Sequence, residues 1–434
     1  MKKVLFVQSD NTLAKLSHNL GFADALVKAG YDVIFGVSKR GSEFLSKNSL
    51  YRYQIIPQLW ELSPESHFID KWFQDKQYIR NVFESEYRFI SRERPDVVIS
   101  NVSYTAKLSC RKAGIPLISV IPPIQSPGKK ILPILYNTQS LTPEVKEKVI
   151  SHTNKWEDAW WREHARPFDD LAKYCGLAPM DDVRTLLLGD FQLIHSVVEY
   201  DKVSNECYPY KYTGPLIWGR WENSGDKLNN FKNMILCTFG TKLKTEMDLI
   251  HKTVAAVQKL KDDNFVIHAE AADNLRRQYS HIKNVSFVKS YSPEKLLPVC
   301  RAVFCQSGYG IVLLCFKYRV PMLTVPFQLE QRYHTNKLEQ LGAGFSLTAV
   351  PKIDRLFNNK NSVDVFMNMV EQLTVDKIYD GLYEVIYNDK YRQGVARVSP
   401  HFKNTLGCQG ITALLERQPW LNSSELHEVT RYGN

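Results

Sequence analysis

The sequence predicts an α/β protein made of two doubly wound parallel-sheet domains, and three observations predict it. The chain has 434 residues, beyond the size at which a single core usually keeps growing. Short apolar runs alternate with helix-length segments, and the alternation happens twice. Each round opens on a strand followed by a polar or glycine-bearing turn, which is how a parallel sheet with crossover helices is written.

The first round begins with Val4 to Val7, an apolar strand too short for a membrane span or a signal peptide and followed at once by Ser9, Asp10 and Asn11. This start reads as that of a cytoplasmic protein. Leu13 to Ala29 carries apolar residues at 13, 16, 20, 23, 26 and 27, a helical period closed by Gly30. Val33-Ile34-Phe35, Val97 to Ser100 and Leu117 to Ile121 supply further strands. From about Pro122 to Phe168 the rhythm breaks. Trp156, Trp160 and Trp161 lie there, with Trp60, Phe68, Trp72 and Phe73 earlier in the chain. These aromatics either line a ligand cleft or pack a helical subdomain, and the sequence leaves both open.

Tyr212-Thr213-Gly214-Pro215 and Asn223-Ser224-Gly225-Asp226 read as a linker. The second round follows, with strands at Met234 to Thr238, Phe265 to His268, Val285 to Val288, Ala302 to Cys305 and Pro321 to Val325. A helix spans Met247 to Leu260, after the turn Phe239-Gly240-Thr241.

Composition narrows the function. The eight cysteines show no C-x-x-C pair and no zinc spacing, which argues against a disulfide framework or a structural metal. The formal charge of +10 suits an anionic ligand or an acidic lipid surface. Its lysines and arginines are spread along the chain, without the basic block of a nucleic-acid binder, so no nucleic-acid partner is expected.

The strongest chemical signal lies between Tyr291 and Gly344. A strand ending at Cys305 runs into Gln306-Ser307-Gly308-Tyr309-Gly310, and Ile311 opens a helix. Such a turn offers several backbone N–H groups and a helix N-terminus to a phosphate. Val320-Pro321, Pro326, Glu330-Gln331, Asn336, Glu339, Gly342 and Gly344 follow at set intervals. This run resembles the donor-binding signature of family-1 glycosyltransferases, UDP-glycosyltransferase-like enzymes of GT-B fold, in their bacterial natural-product branch. Asn11 to Ser17 and Ala25 to Val33 resemble that family's N-terminal elements, and Tyr391 to Leu415 its closing helices.

The resemblance implies two Rossmann-like domains facing a cleft. It implies an acceptor-binding domain over 1–215, a nucleotide-sugar domain over 226–395, and helices over 396–434 packing back on the first. Ser307, Gly308, Tyr309, Gly310 and Ile311 would hold the diphosphate, helped by Gln306 and by Thr241 in the earlier turn. Glu330 and Gln331 would bind the sugar hydroxyls, while Tyr291 and Ser292 would meet the base. Trp60, Trp72, Trp156 and Trp160 are candidates for the acceptor wall. The implied reaction moves a hexose or deoxyhexose from a UDP- or dTDP-sugar to a hydrophobic small-molecule or lipid acceptor, with inversion. It needs no cofactor beyond that co-substrate and no metal, there being no D-x-D pair in place. The basic charge leaves peripheral membrane contact open.

The departures from the pattern matter as much. The family's general base is a histidine oriented by an aspartate; here those positions read Lys15 and Asn101, and the histidine of the phosphate turn is Gln306. Either Lys15 is the base, or Asp10, His18, Glu163 or His164 supplies one, or the chain binds without transferring, as a partner protein. A nucleotide-sugar epimerase or hydrolase of the same fold is a further alternative.

Overall fold

The apolar runs become two all-parallel sheets. The computed structural model describes residues 2–10, 13–48, 51–62, 69–132, 142–204, 209–219, 233–239, 245–351 and 362–417. Two compact units divide the chain: Met1–Lys130, Thr142–Trp218 and Thr405–Asn434 form one, Ile131–Leu141 and Gly219–Asn404 the other.

In the first unit seven strands are hydrogen-bonded in the order β3-β2-β1-β4-β5-β6-β7. They are β1 Lys3–Gln8, β2 Asp32–Val37, β3 Arg52–Ile55, β4 Val97–Asn101, β5 Leu117–Ile121, β6 Phe191–Ile194 and β7 Tyr210–Tyr212. In the second unit β8 Met234–Thr238, β9 Asn264–His268, β10 Val285–Val288, β11 Cys300–Cys305, β12 Met322–Thr324 and β13 Gly344–Ser346 take the order β10-β9-β8-β11-β12-β13. The central strands β1, β4 and β8 are buried along nearly their whole length, which is why they read as continuous apolar runs. Strands β3, β6, β7 and β13 are not legible in the sequence. The first is an exposed edge strand, and the others are three or four residues long, too short to show a period.

The helix Leu13–Lys28 forms as its spacing predicts, and the irregular stretch after Pro122 contains a 23-residue helix, Pro143–Ala165. Among the described residues no helix is long and apolar enough to cross a membrane.

The second unit extends past 395. The helix Asp389–Val398 and the turn Ser399–Phe402 pack within it, Arg319 Nε donating to Ser399 Oγ at 3.3 Å and Phe316 stacking on Phe402 at 5.6 Å. Only from Thr405 does the chain belong to the first unit. There Gly407 N–H donates to the Thr213 carbonyl at 2.7 Å. Gly214 sits at φ +71°, and a Cβ on it would lie 2.3 Å from Thr405 Cβ. Gly21, in the first helix, leaves the same kind of room for Cys408, whose Sγ would be 2.6 Å from a Cβ. Glycine at 214 therefore answers both a left-handed backbone and a close approach.

Beneath the loop after β4 lies Glu86, 3% exposed on the helix Lys76–Glu93. Ser103 Oγ donates to its Oε2 at 3.2 Å and lies 3.3 Å from Thr105 Oγ1, while Glu86 Oε1 meets no hydrogen-bond partner among the described residues. Burial outweighs that hydrogen bonding and pushes its pKa up to about 7 from 4.5.

Two outcomes are expected. Gly214→Ala combines a left-handed strain with an overlap, so unfolding in urea should show a loss of roughly 2–4 kcal/mol, partly recovered by adding Thr405→Gly. The raised Glu86 pKa favours the protonated folded state, so its contribution is full below 4.5 and is lost as pH rises through about 7. Glu86→Gln should flatten that decline, worth about 3 kcal/mol between its ends, in urea titrations at successive pH values.

Candidate functional site

In an open parallel sheet, ligands gather outside the carboxyl ends of the strands where the strand order reverses. Each sheet has one such point. In the first it lies between β1 and β4, in the second between β8 and β11. The registers bring Gln8 beside Asn101, and Thr238 beside Cys305, at those ends. Each point is also marked by a residue other than glycine in the left-handed region: Val102 at φ +59° just after β4, and Ser307 at φ +58° just after β11. A β-branched residue there is strained, and such strain concentrates at functional loops.

In the second unit the turn after β11 is braced from below. Ser307 is fully buried; its Oγ donates to the Gln331 carbonyl at 3.0 Å and lies 2.6 Å from Thr335 Oγ1. Thr335 donates to Thr324 Oγ1 at 3.1 Å, and Thr324 to the Phe345 carbonyl at 3.0 Å. This chain of hydroxyls ties the turn to the helix Leu329–Gln340 and to the ends of β12 and β13. Gly308 is the N-cap of the helix Tyr309–Tyr318 and offers no capping side chain. The first bond of the helical ladder runs from Val312 N–H to the Gly308 carbonyl at 3.2 Å. The amides of Tyr309, Gly310 and Ile311 precede it at the positive end of the helix, the arrangement that suits an anion.

Gln306 stands at the head of this turn. Its Oε1 is buried and meets no hydrogen-bond partner among the described residues. Its Nε2 lies over Gly308, 3.6 Å from where a Cβ would be. Glu330 and Gln331 are both half-buried in the first turn of the helix Leu329–Gln340. Gln331 Oε1 accepts from Phe327 N–H at 2.7 Å, so what this residue can offer a ligand is its amide N–H groups. Ser292 caps the short helix Pro293–Leu296 through its carbonyl, which accepts from Leu296 N–H at 3.0 Å. Thr241 lies outside the described residues.

Three side chains converge beside Ser292. His268, ending β9, donates from Nε2 to the Lys289 carbonyl at 3.0 Å, and its Nδ1 accepts from Thr238 Oγ1 at 3.2 Å. Those two bonds fix its tautomer, and burial keeps the ring neutral by lowering its pKa. Tyr291 packs edge-on against His268 at 5.2 Å and bonds to Thr238, and burial pushes its phenol well up.

In the first unit the structure brings Lys15 and Asn101 together. Asn101, 3% exposed at the end of β4, donates from Nδ2 to the Lys15 carbonyl at 3.2 Å. Asp10 is committed elsewhere. It is 1% exposed, accepting from Ser38 N–H at 2.8 Å through Oδ2 and from Trp60 Nε1 at 3.1 Å through Oδ1. Its carboxylate thus anchors the start of the helix Lys39–Asn48, although burial raises its pKa. His18 packs edge-on against His195 at 4.3 Å, and burial with the nearby Lys15 charge holds it at about 4, a weak base. His195 Nε2 accepts from Leu216 N–H at 3.1 Å, and burial keeps it neutral too.

The tryptophans separate into two groups. Trp60 and Trp72 are buried in one apolar cluster with Phe73 and Phe168. Trp156 is 41% exposed on the helix Pro143–Ala165, and Trp160 is partly exposed between Trp161 at 4.5 Å and His164 at 4.1 Å. His164 is held by the Trp160 carbonyl at 2.7 Å.

His195, Thr238 and His268 are candidate residues that the sequence did not single out. Each stands at or just past the end of a strand, and a polar residue closing an apolar run was the available signal. Among the described residues no group of three or more His, Cys, Asp or Glu could hold a metal ion.

No family model matches the chain. It is 22% identical over 418 residues to a PGL/p-HBAD biosynthesis rhamnosyltransferase of Mycobacterium tuberculosis, covering 92% of this chain and 84% of that one. It is likewise 22% identical over 416 residues to a PGL/p-HBAD biosynthesis glycosyltransferase of the same species, covering 92% and 89%. Among solved structures, the calicheamicin glycosyltransferase CalG4 superposes with a TM-score of 0.67 at 14% identity, over 98% of this chain and 99% of that one. The glycosyltransferase VinC, solved in complex with dTDP, gives 0.66 at 17% identity, over 97% and 100%. On its two switch-point sheets and on similarity along nearly its whole length, the chain is a glycosyltransferase of GT-B fold that resembles the family-1 type.

Proposed function

We propose that the protein transfers a hexose or deoxyhexose from a UDP- or dTDP-sugar to a hydrophobic natural-product or lipid acceptor, with inversion and without a metal. The observation that carries this reading is the braced turn after β11, where Ser307 is held left-handed by its bonds to Gln331 and Thr335. That turn presents the amides of a helix N-terminus in a fixed arrangement. Preorganised donors of this kind stabilise the charge that develops on a departing diphosphate. One solved neighbour carries dTDP and another, a spinosyn rhamnosyltransferase, carries an aglycone, which supports both halves of the proposal.

In the proposed reaction the acceptor O–H gives its proton to Lys15 Nζ as its oxygen bonds to the anomeric carbon of the sugar. The bond from that carbon to the diphosphate oxygen breaks, and the nucleoside diphosphate leaves with the electron pair. Lys15 must be uncharged to act so, and a hydrophobic acceptor closing over it would disfavour the ammonium form. Asn101 positions the lysine by holding its backbone carbonyl. Gln306 supplies a neutral hydrogen-bond donor at the diphosphate.

A second reading has a specific observation in its favour. Asp10 spends both oxygens on structure, and His18 is a weak base pressed against His195. A nucleotide-sugar-binding partner without transferase activity fits that shortage of a ready base.

Incubation with UDP- and dTDP-sugars, following free nucleoside diphosphate, tests the proposal. Release only when a hydrophobic acceptor is present is the expected result; release without one indicates hydrolysis, and tight binding without release indicates the silent partner. Lys15→Met should cut turnover by at least about 100-fold while donor affinity stays within about twofold. Unchanged turnover in that variant would sink the base assignment. Ser307→Ala should weaken donor binding by about tenfold and cost about 1–2 kcal/mol in stability, read by calorimetric titration and urea unfolding.

A further inference from the structure

The helices on one flank of the first unit carry a feature that sugar transfer does not use. Tyr174, at the end of the helix Asp169–Tyr174, is 54% exposed, although its ring stands edge-on against the buried Phe83 at 6.3 Å. Lys112 Nζ lies 4.2 Å from the ring centroid and Arg80 Cζ 6.0 Å from it. The flanking Arg111 and Lys173 are exposed as well. Among the described residues Arg80 is paired with Glu84, while Arg111, Lys112 and Lys173 form no ion pair. Two cations thus stand over the Tyr174 ring, Arg111 and Lys173 lie next to Lys112 and Tyr174 in the chain, and the nearby carboxylates Glu84 and Asp170 are paired with Arg80 and Lys76.

We propose that this surface docks on an anionic lipid bilayer. An amphipathic ring with a polar tip sits at headgroup depth, and lysines and arginines beside it pair with lipid phosphates. Charge complementarity separates this patch from the other exposed aromatic stripe. At Tyr387, in the second unit, the cations are spent on carboxylates: Arg301, 5.2 Å from the ring, pairs with Asp263 at 3.0 Å, Tyr387 donates to the same Asp263 at 2.5 Å, and Lys259 is taken up by Asp376 at 2.6 Å. An anionic surface would meet cations already paired there, and at Tyr174 three that form no ion pair among the described residues. The proposal does not depend on the sugar transfer above, since docking requires neither donor nor acceptor.

Sedimentation of the full chain with vesicles tests it. Vesicles of phosphatidylcholine and phosphatidylglycerol should carry the protein down at low salt and release it at high salt, while pure phosphatidylcholine should not. Each cation removed should weaken partitioning by about fivefold, so Arg111→Ala with Lys112→Ala should lose more than tenfold. Tyr174→Ala should also weaken it, whereas Tyr174→Trp and Lys112→Arg should keep it. Nucleotide-sugar affinity, measured on the same variants, should stay at the parent value, which separates a lost surface from a lost fold. No binding to anionic vesicles, equal binding to neutral ones, or indifference to the alanine variants overturns the proposal. Patch-dependent capture of single-stranded RNA in place of vesicles also overturns it and assigns the surface to nucleic acid.

Discussion

The hydrogen bond from Ser307 Oγ into the helix Leu329–Gln340 is the contact that holds the turn after β11 in place. A serine held at φ +58° costs about 1–2 kcal/mol relative to ordinary backbone. Two short hydroxyl contacts in a buried, low-dielectric setting offset that cost. The result is a strand-to-helix turn that cannot relax into a looser loop. The same chain of hydroxyls reaches Thr335, Thr324 and Phe345, so one run of contacts joins the turn, the helix bearing Glu330 and Gln331, and two strands. Preorganisation here is a property of four polar contacts rather than of glycine content.

The first unit meets a similar requirement by another route. Its strained residue, Val102, has no hydroxyl to anchor it; order comes from Asn101 gripping the Lys15 carbonyl and from Glu86 holding Ser103, which in turn lies 3.3 Å from Thr105 Oγ1. Asp10 adds a third tie, joining the end of β1 to the start of the helix Lys39–Asn48 and to Trp60. Such ties exact a functional toll. A carboxylate whose oxygens both accept structural hydrogen bonds loses reactivity as it gains position.

Much of this was legible in the sequence because parallel sheets write themselves plainly. Strands buried on both faces read as unbroken apolar runs, and Gln306 to Ile311 could be placed at a strand-to-helix turn from their order alone. Other features were hidden for physical reasons. Strands β7 and β13, of three residues each, carry no period, and Trp60 looks the same in a sequence whether it faces a ligand or Asp10. Gln331 showed its amide but not that Phe327 already occupies the carbonyl half. The pairing of His18 with His195 joins residues far apart in the chain, brought together only when β6 takes its place in the sheet.

The return of the chain at Thr405 bears on how such a protein can be taken apart. Residues Thr405 and Cys408 fill the spaces that Gly214 and Gly21 leave open, and Gly407 bonds to Thr213. The first unit is therefore assembled from discontinuous stretches of chain, and a clone ending at Trp218 would leave those niches bare. Grafting a foreign donor-binding unit onto this scaffold calls for two junctions, near Trp218 and near Asn404, with the host's own tail restored downstream. A recombination event that exchanged only the 3′ half of the gene would separate parts that fit one another.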